Sequence, residues 1–175
     1  TSCASRTDMP TIAAQPLEEL KDLEVSVRPE QILRAHYPDL PPVAAEVRAT
    51  AAAMAAHALE IARPTGWVRQ VAGRGIDGAR VELEGGATLT SATLASLLQE
   101  SPAVQVFVVT LGAQVDGRVH ELFEAMDGLE GLFLDTAGWV VVQSALSSVR
   151  KRCAAKARGD GYRLEARQPL RQTGA

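Results

Sequence analysis

Aromatic side chains are scarce in this chain, at 4% of 175 residues, and cysteine occurs only twice. With so few rings, the interior has to be built from Ala, Val and Leu on helices and half-buried strands. Cys3 and Cys153 are too few for a disulfide framework and have no metal-ligand spacing. That usage fits a reducing, cytoplasmic setting, with Cys153 as a half-buried small hydrophobe. No apolar run approaches the ~20 residues that span a bilayer, and the beginning lacks a basic region followed by an apolar core, which argues against membrane insertion and export. At a net charge of -3 the basic and acidic residues are interspersed, apart from the short run Arg150-Lys151-Arg152. Charge therefore gives no support to nucleic-acid binding.

The length suits one domain with one core. Residues 1–15 are rich in Ser, Thr and Ala and read as a flexible leader, leaving 16–175 as the domain. Val25-Ser26-Val27 alternates like a short strand, and Pro29 opens a short helix to about Ala35. The prolines from Pro38 to Pro42 form a connector. An Ala-rich stretch from Val43 to Ala62 predicts a long helix with Val47, Met54, Leu59 and Ile61 as its apolar stripe. Trp67–Val71 and Ala79–Leu83 alternate with period two on either side of the glycine-rich Gly73–Gly78, which predicts a hairpin with that segment as its loop. Thr90-Ser91 caps a short helix carrying Leu94, Leu97 and Leu98. Val104–Leu111 is almost wholly apolar and reads as the central strand, covered on both faces.

Gly112 then releases a helix with Val115, Val119, Leu122, Phe123 and Met126 at helical spacing. After Asp127-Gly128 a second long helix runs from Leu129 to about Ala157, wholly buried at Leu132-Phe133-Leu134. Tyr162–Ala166 alternates like an edge strand. Strands and helices do not alternate strictly, so the expected class is α+β, a central twisted and mainly antiparallel sheet flanked by helices.

Conventional catalytic constellations are hard to find. His36, His57 and His120 are scattered without metal-ligand pairing and read as surface or capping residues. No serine sits in a nucleophile motif, and the glycines of Gly73–Gly78 join two strands rather than opening a phosphate-binding helix. Two places invite a ligand. Thr110-Leu111-Gly112 ends the apolar strand at a helix start, where it is either a plain turn or a place of close backbone approach. Asp135, set among apolar residues, would be buried and need a partner, either as a helix cap or as the holder of a cationic or hydroxyl-bearing ligand beside Gly138.

The same residues carry a family likeness. Ile32-Leu33-Arg34, Ala62-Arg63-Pro64, the Gly86, Leu89, Ser91, Leu94 spacing, Val106-Phe107 with Thr110-Leu111-Gly112, and Leu134-Asp135 with Ala137-Gly138 follow one another as in the activation domain of cobalamin-dependent methionine synthase. The chain resembles the short stand-alone relatives of that domain from about Val27 to Ala166. The resemblance implies an activation-domain-like fold that binds S-adenosylmethionine in a shallow groove and docks on a corrinoid protein or cobalamin-dependent methyltransferase. Cobalamin carried by that partner is reduced there with an electron from a flavodoxin-like donor and then methylated by the sulfonium methyl. Such a protein supplies positioning more than chemical groups.

Carried over residue by residue, the resemblance assigns cofactor contact to Thr110, Gly112, Asp135, Gln143 and Arg167. Two departures stand out. Gln143 occupies a position where the family has a glutamate, and Arg167-Gln168-Pro169-Leu170-Arg171 lacks the family's Pro-Gly-Tyr loop. They imply either a native chain that extends past Ala175, or a non-catalytic interaction subunit that docks the corrinoid partner without binding S-adenosylmethionine.

Overall fold

The computed structural model describes residues 15–38, 43–99, 101 and 103–161. The leader up to residue 14, the edge strand expected at Tyr162–Ala166 and Arg167 lie outside the described residues. The class is α+β with antiparallel pairing throughout, as expected. The chain divides into two compact units, and it passes between them at Asp22–Leu23, Pro64–Thr65 and Thr110–Leu111.

Among the described residues the first unit is a sheet of five strands, β1 (Glu18–Leu20), β2 (Thr65–Asp77), β3 (Arg80–Leu83), β4 (Thr88–Thr90) and β5 (Ala103–Thr110), with one helix, α3 (Ala92–Leu98). β2 is its spine. Its first half lies between β1 and β5, with Trp67 opposite both Glu19 and Val108, and its second half pairs with β3. Two expectations are corrected here. The segment Gly73–Gly78 is not the hairpin loop: β2 runs through it to Asp77, with an irregularity between Gly73 and Gly75, and the turn is only Gly78-Ala79. Glycine tolerates the bulge that lets the strand change partners, and period-two alternation stops where the bulge resets the facing.

Nor is β5 the covered centre of the sheet. Among the described residues it pairs with β2 alone, and Val106 and Val108 point outward, Val108 at 62% exposure. A run of β-branched residues records strand propensity, not burial on both faces. Ser91 caps α3 as expected, its Oγ accepting from the Leu94 amide at 3.3 Å. The unit's small core joins Val71, Val81 and Leu83 to Ala95 of α3.

The second unit is helical: α1 (Pro29–His36), α2 (Ala45–Ile61), α4 (Gln114–Glu124) and α5 (Gly128–Gly159). Val25–Val27 is not a strand. The extended chain there lies along α5, where the Ser26 amide donates to Ser144 Oγ at 2.9 Å and Ser148 Oγ donates to the Glu24 carbonyl. Val25 and Val27 face the core while their neighbours face water, so alternation records packing on a helix rather than pairing in a sheet.

The fully buried residues of α2 are alanines, Ala51, Ala55 and Ala58; of the expected stripe Val47, Met54 and Ile61 pack beside them on the core, while Leu59 is exposed. Alanine carries no side-chain entropy and lets helices approach closely, so α2 packs tightly against α5. In α4 only Val115 and Leu122 are buried; Phe123 is exposed, and Met126 lies past the helix end at 89% exposure. Along α5, Phe133, Leu134, Ala137, Val141, Ala145 and Val149 form the buried side, but Leu132 is exposed. By length and composition α5 is the one described helix long and apolar enough to cross a bilayer. Its apolar residues here are instead the centre of the helical core, which they share with Ile32, Leu33 and Leu122.

Candidate functional site

Thr110 closes the strand unit, half-buried and paired with Thr65 across the ladder. Gly112 opens the helical unit with φ +79, a left-handed conformation that suits glycine. Beside it stand the movable end of Gln114, whose Oε1 would be 2.5 Å from a β-carbon there, and Arg63 Cβ at 3.6 Å. The adjoining turn is tied by the Arg63 amide donating to the Leu111 carbonyl at 2.7 Å. The Arg63 guanidinium in turn donates to the carbonyls of Glu60 and Ala62, at 2.7 and 2.8 Å, and so caps the end of α2. The motif Ala62-Arg63-Pro64 is therefore used as a helix stop.

Asp135 is not buried and caps nothing. It lies eight residues inside α5 on the exposed side, because Phe133, Leu134 and Ala137 beside it in sequence take the buried face of the helix. Gly138 is buried, but as a contact between helices: a β-carbon there would lie 2.9 Å from Val115 Cγ1 of α4. Asp135 and Gly138 are neighbours one turn apart, but Asp135 faces water while the space beside Gly138 is filled by Val115.

What the exposed side of α5 does assemble is a row. Leu132, Asp135, Trp139 and Gln143 all face outward, with Trp139 at 62% exposure. Asp135 and Gln143 stand two turns apart, roughly 12 Å along the axis, with the indole between them. An indole face attracts cations and planar groups, and tryptophan is the side chain that most often anchors protein contacts. Trp139 escaped the sequence reading because it sits within an apolar run, where helical periodicity and full burial look alike.

Sequence reasoning also missed the role of His36. Its Nε2 is 2.8 Å from Thr136 Oγ1, and the ring leans on Phe133 with centroids 5.6 Å apart. Thr136 Oγ1 donates its own proton to the Leu132 carbonyl at 2.9 Å. The hydroxyl must then accept from His36, so Nε2 carries a proton in either charge state of the ring. His36 thus fastens α1 to α5. His57 and His120 pair with Glu60 and Glu124 on their own helices, at 3.5 and 3.3 Å. Among the described residues no group of His, Cys, Asp and Glu is placed to hold a metal ion.

Set against the requirements of S-adenosylmethionine, the described residues fit in part. A solvated carboxylate beside an exposed indole suits a sulfonium or ammonium group, whereas the space beside Gly138 is filled by Val115 and Gln143 adds no negative charge. No protein-family model matches the chain, and no curated protein proves similar to it.

Proposed function

We propose that this chain is an accessory protein for a corrinoid-dependent methyltransferase, supporting reductive reactivation and methylation of a cobalamin that its partner carries. Five sequence segments in the order and spacing of the methionine synthase activation domain support the reading, and an α+β fold with an antiparallel sheet agrees with that family. The observation that carries it is the outward row Asp135, Trp139 and Gln143, two of whose members occupy positions that the resemblance assigns to cofactor contact. An aromatic anchor between a carboxylate and an amide is a surface suited to docking.

Of the two forms of this reading, docking without holding S-adenosylmethionine is favoured. Val115 fills the side of Gly138 and Gln143 is neutral where the family has a glutamate, while only the movable end of Gln114 stands beside Gly112. In this form the chain orients the corrinoid partner, and a flavodoxin-like donor supplies the electron. Calorimetric titration with a cobalt(II) corrinoid protein, and separately with S-adenosylmethionine, tests both forms. The corrinoid protein is expected to bind, with Trp139→Ala weakening it by about tenfold or more. Binding of neither ligand discards the accessory role, and micromolar affinity for S-adenosylmethionine reinstates the form that holds the cofactor.

A further inference from the structure

The outward row of α5 has an internal symmetry. Asp135, Trp139, Val142, Leu146 and Arg150 recur at helical spacing and fall within an arc of about 80° at 100° per residue. Asp135, Trp139 and Arg150 are exposed and Leu146 is half-buried, while Val142, also half-buried, rests partly on the helical core. Turned end for end about a point between Val142 and Gln143, Asp135 falls on Arg150, Trp139 on Leu146, and Val142 on the exposed Gln143. Among the described residues Asp135 and Arg150 form no ion pair with their own chain. An acid at one end, a base at the other and apolar residues between them is the pattern required of a helix that packs antiparallel on its own copy.

We propose that two copies of this chain pair through α5 about a two-fold axis at Val142-Gln143. A two-fold contact is isologous, so each interaction occurs twice: Asp135 with Arg150 of the second copy at both ends, and Trp139 over Leu146 on both sides of the axis. The apolar centre supplies the attraction. The charged ends set register and direction, since exposed ion pairs add little strength while like charges face to face are costly. The row from Asp135 to Arg150 covers only about 24 Å of helix. The pairing is therefore weak and depends on concentration, as befits a contact smaller than a standard interface.

The pairing does not rest on the corrinoid reading. Its consequence for that reading is that a paired α5 hides Trp139, so docking and self-pairing exclude one another.

Sedimentation velocity on the full chain over a concentration series tests the proposal without any ligand, and circular dichroism monitors the fold of each variant. The wild-type chain should sediment as a monomer–dimer equilibrium. Asp135→Arg and Arg150→Asp should each raise the dimer dissociation constant by about tenfold or more, and combining them should return it to within about threefold of wild type, because the swapped charges again face opposites. As a second measurement, Gln143→Cys should form a disulfide-linked dimer under mild oxidation, beyond any seen for wild type, because that position adjoins the axis. A chain that stays monomeric up to about 1 mM overturns the proposal, as does a folded double variant no better paired than the single ones.

Discussion

At the scale of single residues, several polar side chains are used to join distant parts of the chain. Arg63 stops α2, Thr136 receives His36, and Ser144 and Ser148 hold an extended segment against α5. One residue is poorly served. Gln105 Oε1 is buried with no hydrogen-bond partner among the described residues, and its amide reaches Gln70 Oε1 only at 3.5 Å, too long for a strong bond. A buried acceptor left unpaired costs about 1–3 kcal/mol, and valine suits a strand better than glutamine. Gln105→Val should therefore raise the unfolding free energy by about 1 kcal/mol in a urea titration.

At the scale of elements, the α4–α5 hairpin shows how close contact and helix ending are divided among particular positions. α4 ends with the Asp127 amide bonded to the Leu122 carbonyl and the Met126 amide to that of Phe123, which leaves Met126 at φ +65. That position favours glycine, because a β-carbon in the left-handed region costs roughly 1–2 kcal/mol. Met126→Gly should raise the thermal midpoint, with about 1 kcal/mol gained, since the exposed methionine gives up no packing. Gly138 behaves in the opposite way. Alanine there gains about 1 kcal/mol in helix propensity but forces Val115 aside at a cost of roughly 1–3 kcal/mol. Gly138→Ala should thus lower the midpoint, and Val115→Ala in the same chain should recover part of the loss through relief of the clash.

At the scale of the whole molecule, the two proposals meet on one helix. α5 is the core of the helical unit on one side and carries the exposed row from Leu132 to Arg150 on the other. If docking and pairing share that row, adding a corrinoid protein should lower the dimer population in proportion to complex formed, as mass action requires. Sedimentation with a labelled corrinoid partner reads this directly. A complex that retains paired copies would separate the two surfaces and place the docking face away from Trp139.

The amino-acid sequence by itself determined where α1, α2, α3 and α5 begin and end to within about two residues, because proline, Ser91 and runs of alanine act over one or two turns. It also determined the antiparallel α+β class and the presence of a hairpin, though it placed the loop at Gly73–Gly78 rather than at Gly78-Ala79. Facing was beyond its reach. Whether Asp135, Leu132 or Trp139 lies inside, whether β5 or β2 is central, and whether Val25–Val27 pairs with a strand or lies on a helix depend on which element arrives on each side. An apolar run is compatible with burial on one face or two, and only the partners brought from distant parts of the chain decide between them. Asp135 and Gln143 were named from the sequence, Asp135 as a buried group, and their shared exposed side was not legible, since local patterning encodes a helix and tertiary packing chooses the side that stays in water.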